Sequence, residues 1–334
     1  MKAVGFKKSL PIAEQDSLLD IDLPEPVAAA RDLVVEVKAI SVNPVDTKMR
    51  MRGVAAGETK VLGFDAAGVV KYTGRDVTLF HPGDEVFYAG SNVRSGTNSQ
   101  LHAVDERIVG RKPKTLSFAQ AAALPLTSIT AWELLFDRFR IRRPNASGSL
   151  LVIGGAGGVG SIMIQLARKL TGLTVIATAS RPETIEWCRA LGANHIIDHT
   201  RPLADELKGI GIPEVNFVAS LTATAKHFAA MPDIIAPQGM FGLIDDPASL
   251  DVVPLKRKCV SVHWEAMFAR SLFGTPDMSA QHDLLTEVSA LVDAGTIRTT
   301  MTENFGTINA ANLKKAHALI ESGKSIGKVV LEGF

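Results

Sequence analysis

The apolar positions of this chain fall into two rhythms. Up to about residue 110 they form short β-prone runs, Met1 to Phe6, Leu33 to Ile40, Ala67 to Tyr72 and Glu85 to Ala89. Turn signals such as Pro24-Glu25-Pro26, Thr73-Gly74-Arg75-Asp76 and His81-Pro82-Gly83-Asp84 separate them. This pattern predicts a small β-rich barrel with irregular loops, and the polar run from Ser91 to Gln100 reads as an exposed loop. At Ser117 the texture changes. Ser117 is a good N-cap for the helix formers Phe118 to Ala123, and a second helix is expected over about Thr130 to Phe139. From Leu150 the chain alternates. Strands are predicted at Leu150 to Ile153, Thr174 to Ala179, His195 to Asp198, Val215 to Ala219, Gly239 to Ile244 and Cys259 to Val262. Helices are predicted from the glycine turn onward to Leu170, then at Pro182 to Leu191, Ala223 to Ile235 and Gln281 to Ala294. Near the end, Ala310 to Ser322 reads as a helix and Gly327 to Leu331 as a strand. The fold class is therefore α/β, with a doubly wound parallel sheet following the barrel.

The first strand of that sheet runs into Gly154-Gly155-Ala156-Gly157-Gly158-Val159-Gly160, and Ser161 to Ala167 continue as a packed helix. Gly155, Gly157 and Gly160 have the G-x-G-x-x-G spacing of a dinucleotide-binding turn. The first glycine is expected to allow the tight turn, the second to let a pyrophosphate approach the backbone, and the third to let helix and strand pack closely. Free N–H groups and the positive dipole end of the helix would face the phosphates. Gly155, Ala156, Gly157, Gly158, Val159 and Gly160 are accordingly expected to bind a cofactor.

Composition narrows the picture. The chain has 334 residues, enough for two domains, and a net charge of +1 offers no field for nucleic acid or an anionic membrane. Hydrophobic residues make up 46% and the mean hydropathy is +0.16, ample for sizeable cores. The two cysteines, Cys188 and Cys259, are far apart, which speaks against a disulfide framework and suits a reducing cytoplasm. Both read as buried thiols. No apolar stretch is long enough to span a bilayer, and no apolar leader follows Met1.

Several motifs then occur in one order: Val42-Asn43-Pro44-Val45-Asp46-Thr47-Lys48, Gly63-Phe64-Asp65-Ala66-Ala67-Gly68-Val69-Val70, Pro82-Gly83-Asp84-Glu85-Val86, Leu124-Pro125-Leu126-Thr127-Ser128-Ile129-Thr130-Ala131-Trp132-Glu133, the glycine turn, and Gly327-Lys328-Val329-Val330-Leu331. Together they resemble the medium-chain dehydrogenase/reductase superfamily and, within it, the quinone oxidoreductase branch. Gly242-Leu243-Ile244-Asp245-Asp246-Pro247 and His263-Trp264-Glu265 are similar to the subgroup labelled zinc-type alcohol dehydrogenase-like proteins. The resemblance covers nearly the whole chain. It implies a GroES-like catalytic domain over residues 1–125 and 265–334, a Rossmann NADP-binding domain over 126–264, an active site in the cleft between domains, and a homodimer. The apolar run Cys259 to Val262 is the segment expected to pair across a two-fold axis.

Zinc enzymes of this superfamily hold their metal with a Cys, the His of Gly-His-Glu, and a later Cys. The matching positions here are Asn43, Phe64 and Leu126 or Thr127, and the four-cysteine lobe is missing. No zinc is expected. Without a Lewis acid the natural chemistry is hydride addition to a conjugated acceptor, a quinone or an α,β-unsaturated carbonyl. The resemblance puts Asn43 near the nicotinamide and Thr130 close to its ring or phosphate. Asn43 is otherwise a turn residue before Pro44, and Asp46 is expected to tie that loop to Lys48 or Arg50. Leu243 and Ile244 end the fifth strand, where a Rossmann loop reaches the nicotinamide. At the end of the second strand, Ser180 and Arg181 stand where an acid would bind the ribose of NAD, so NADPH is the expected cofactor. Glu183 reads as a surface acid in the first helical turn, Lys328 as a surface lysine in preference to a cofactor contact, His195 and His199 as structural or cofactor-edge residues, and Trp264 as a residue near the cleft by analogy or, equally, a core or dimer residue. Alternatives in the same frame are an alcohol or carbonyl dehydrogenase and a nucleotide-binding protein with little turnover.

Overall fold

The computed structural model describes every residue except Ala56. The chain divides into two units, Met1–Ile129 with Phe268–Phe334, and Thr130–Met267.

In the first unit the long strand Asp32–Val42 organises the sheet. It pairs antiparallel with Asp65–Thr73 along one edge. Its other edge is shared, with Leu101–Asp105 on its first half and Lys328–Glu332 on its second. The end of the chain is thus built into the same sheet as residues near its start. Val35, Ile40, Val86, Tyr88, Val329 and Leu331 are among the residues that fill the core beneath. The run from Ser91 to Gln100 departs from the predicted exposed loop. Val93 is exposed, but Thr97, Asn98 and Ser99 are buried. Their backbone closes against strand edges, Val4 N–H donating to Asn98 O at 2.8 Å and Asn98 N–H to Leu62 O at 2.9 Å. A polar sequence is buried without penalty when its hydrogen bonds are made inside.

The second unit is a parallel sheet of six strands. In spatial order they are His195–Ile197, Thr174–Thr178, Ser149–Ile153, Val215–Ser220, Ile235–Leu243 and Ser261–Trp264. The order reverses beside Ser149–Ile153, as the doubly wound reading requires. That strand is buried at every position, which explains the apolar run from Leu150 to Ile153.

Several predicted elements shift. The last strand begins at Ser261, not Cys259, because a 3-10 turn over Val253–Lys258 ends with Cys259 at φ 51°. Cys259 is exposed there, whereas Cys188 is buried. The helix expected over Ala223 to Ile235 is broken into Thr224–His227, a 3-10 turn and Met231–Ile234, with Pro232 opening the last piece. The helix expected from Thr130 begins earlier, at Pro125, and from Glu133 to Arg138 becomes a π-helix. Ser117 caps the helix Phe118–Ala122 in a capping box with Gln120. No helix among the described residues is long and apolar enough to cross a membrane.

Candidate active site

The glycine turn joins Ser149–Ile153 to the helix Gly158–Leu170. The tight turn falls on Gly154 (φ 87°), not on Gly155. At Gly155 a side chain would meet Ala177 Cβ at 2.8 Å, so that glycine serves close packing. At Gly160 a Cβ would lie 2.4 Å from Gly154 O, which holds the helix against the strand end as expected. At Gly157 the nearest atom to an added Cβ is Gly154 O at 3.5 Å, so the backbone stays open to approach. The turn is latched to the second strand, Gly154 N–H donating to Thr178 Oγ1 at 3.0 Å and Gly155 N–H to Thr178 O at 3.2 Å. Gly158 and Val159, half-buried, open the helix, and Ala156 is buried. The N-terminus so presented is the ordinary setting for a pyrophosphate.

At the end of the second strand Ser180 and Arg181 are half-buried. Arg181 Nη1 lies 3.4 Å from Glu183 Oε1, and Glu183 is exposed on the first turn of Pro182–Ala190. So open an ion pair contributes little. Ser180 Oγ is 3.4 Å from His199 Nε2, and the His199 ring packs edge-on against His227. Burial holds both imidazoles below their ordinary pKa. Leu243 is fully buried at the end of the fifth strand and Ile244 half-buried beyond it. Trp264 is 57% exposed at the end of the sixth strand, not a core residue. Thr130, on Pro125–Trp132, is 5% exposed.

In the first unit the candidate residues meet in a buried polar network. Asn43 is 1% exposed; its Nδ2 donates to Asp65 Oδ2 at 2.8 Å and its Oδ1 accepts from the Lys328 ammonium. Lys328 also donates to Val42 O at 3.0 Å and lies 3.1 Å from Asp65 Oδ2. Asp65 accepts further from Ser41 Oγ at 2.9 Å and from Leu126 N–H at 2.7 Å. Two expectations are corrected here. Lys328 is 3% exposed, not a surface lysine, because strand Lys328–Glu332 turns it inward toward a buried carboxylate. The Asn43 amide, expected near the nicotinamide, is taken up inside the unit by Asp65 and Lys328. Asp46, expected to tie to Lys48 or Arg50, is held by backbone instead. It accepts from Asn43 N–H at 2.7 Å and Gly63 N–H at 3.0 Å, closing the start of helix Pro44–Arg52. Burial pushes its carboxyl up to about 7, and those two N–H groups hold it down. Arg50 pairs instead with Glu321.

This network bears on zinc. In place of the thiolates and imidazole of a catalytic zinc it offers an amide, a carboxylate already paired with an ammonium, and the Phe64 ring packed 4.8 Å from that of Phe268. A second cation beside Lys328 would meet charge repulsion and lack soft donors, so these residues do not fit the metal. Sequence reasoning missed Asp65 and Ser41 as members of the network. The one available signal was an acid inside an otherwise apolar strand.

Residues 29–131 match the family described as alcohol dehydrogenase GroES-like domain, and residues 191–331 that described as zinc-binding dehydrogenase. A zinc-type alcohol dehydrogenase-like protein of Staphylococcus aureus is 41% identical, over 99% of both chains. A mitochondrial NAD(P)H oxidoreductase of Mus musculus is 30% identical over 90% of this chain and 81% of its own. A crystal structure from Rhizobium etli CFN 42, named as a candidate zinc-dependent alcohol dehydrogenase, is 60% identical and superposes with a TM-score of 0.96 over 100% of this chain and 98% of its own.

Proposed function

The chain belongs to the medium-chain dehydrogenase/reductase superfamily, and from that premise we propose that it is a zinc-independent, NADPH-dependent oxidoreductase reducing quinones or α,β-unsaturated carbonyls. The observation that carries the reading is Lys328 bonded to Asp65 and Asn43 where a metal enzyme would need ligands. With no fit for a Lewis acid, an acceptor that spreads charge onto its own oxygen is the better substrate.

Bound NADPH would supply a hydride to the conjugated carbon, the electron pair moving onto the acceptor oxygen, which then takes a proton from water. In this reading Gly155 to Gly160 hold the pyrophosphate through open backbone N–H groups. Ser180 and Arg181 receive the 2′-phosphate, the guanidinium by a charge-assisted pair. Thr130, Leu243 and Ile244 face the nicotinamide, and Asn43, fixed by Asp65 and Lys328, positions the loop before Pro44. The NAD(P)H named for the mouse relative supports the nicotinamide. A homodimer in the cytoplasm is part of the proposal: strand Ser261–Trp264 pairs only with Ile235–Leu243 among the described strands, and its open edge carries the exposed Trp264.

The test is steady-state NADPH oxidation with a quinone, an enone and an aldehyde, with and without a chelator. Turnover of quinone or enone unaffected by chelation is expected. Turnover of the aldehyde alone, lost with the metal, would overturn the reading.

A further inference from the structure

Two carboxyl groups of the second unit are used by nothing above. Glu133 is fully buried where helix Pro125–Trp132 passes into the π-helix Glu133–Arg138. Glu265, 3% exposed, directly follows strand Ser261–Trp264. The two carboxyl groups neighbour each other and share one cation, Arg138. Arg138, on the π-helix, donates from Nε to Glu265 Oε2 at 2.8 Å and sets Nη2 3.9 Å from Glu133 Oε2. Glu265 Oε1 is buried with no donor to accept from. Two ionised carboxylates are both acceptors, so their contact closes only when one carries a proton. With that proton the trio is neutral; without it, two buried anions share one half-buried cation.

The trio stands between candidate site residues of the same unit. Glu265 N–H donates to Leu243 O at 3.0 Å, next to Ile244. Thr130 lies three positions before Glu133, on the same side of its helix. π-Helical turns of this kind concentrate at functional sites.

We propose that Glu133, Glu265 and Arg138 form a proton-dependent latch that positions Thr130 against Leu243 and Ile244. The inference rests on the reading that these three residues face the nicotinamide. Burial and the neighbouring Glu133 hold the Glu265 carboxyl well above the ordinary range, and Arg138 offsets only part of that. His263, on the same strand, is held neutral by burial and by Arg138 and Arg140, so it supplies no second cation. The shared proton is therefore kept at neutral pH and lost in the alkaline range, where the like charges part and the latch loosens.

The experiment is fluorescence titration of NADPH into wild type, Glu265→Gln and Glu133→Gln from pH 7 to 9.5, with thermal unfolding at each pH. An amide at either position supplies a permanent donor and removes one charge. Wild type is expected to lose affinity at least fivefold across this range, while both variants stay flat; coupling of that size is ordinary. Either variant alone suffices if the other does not fold. A wild-type profile that is flat, or that the Gln variants follow in parallel, overturns the latch and leaves the cofactor reading standing. Wild type that binds no NADPH at any pH removes the cofactor reading, and the latch with it. A role confined to stability would change the unfolding temperature and leave the pH slope of binding unaltered.

Discussion

The glycine turn and the Asp65 network are both built from motif residues, yet they are opposite kinds of structure. The turn is backbone: its properties come from missing side chains between Gly154 and Gly160, with Thr178 as anchor and Ala177 packed close behind. The network is side chain and charge, joining Ser41, Asn43, Asp65 and Lys328, with Asn43 and Lys328 bonded across 285 positions. The first leaves room for a ligand. The second fills its own space with an internal cation. Open backbone is thus marked by absence of bulk, and a closed polar network by internal satisfaction of its charges and amides.

The largest effect that would test this contrast is at Lys328. Lys328→Met leaves the Asp65 carboxylate buried without its ammonium and is expected to cost about 3–5 kcal/mol, read as a large fall in unfolding temperature. Adding Asp65→Asn should recover much of the loss, since the uncompensated charge is gone. If the single variant unfolds like wild type, the ammonium is not the network's organiser.

The turn separates into two roles. Gly160→Ala places a Cβ 2.4 Å from Gly154 O and should destabilise the protein by roughly 1–3 kcal/mol. Gly157→Ala meets only an oxygen at 3.5 Å. It should keep the unfolding temperature within a degree or two of wild type while weakening NADPH binding, as the pyrophosphate is then kept away from the backbone. Equal behaviour of the two variants in both measurements would dissolve the distinction.

The smallest effect is at the second strand. Arg181→Ala should weaken NADPH by about tenfold to a hundredfold, the equivalent of one charge-assisted hydrogen bond, and leave NADH nearly unchanged. Calorimetric titration of both cofactors measures it. Equal weakening of the two would mean that Arg181 does not read the 2′-phosphate.

The parallel sheet, its glycine turn and most of its strands were legible from local pattern, because a buried parallel strand is largely apolar and a close approach of backbones must be glycine. Ser149–Ile153 and Gly160 answer to local rules of that kind. Tertiary structure alone decided where Lys328 points, which side chains take up Asn43, and why Thr97 to Ser99 are buried. It alone brought Glu133 beside Glu265. The physical reason is range. Backbone conformation and burial pattern are written over a few neighbouring residues, but a charge or an amide inside a protein is placed by the partner that satisfies it, and here that partner comes from another strand or from the far end of the chain.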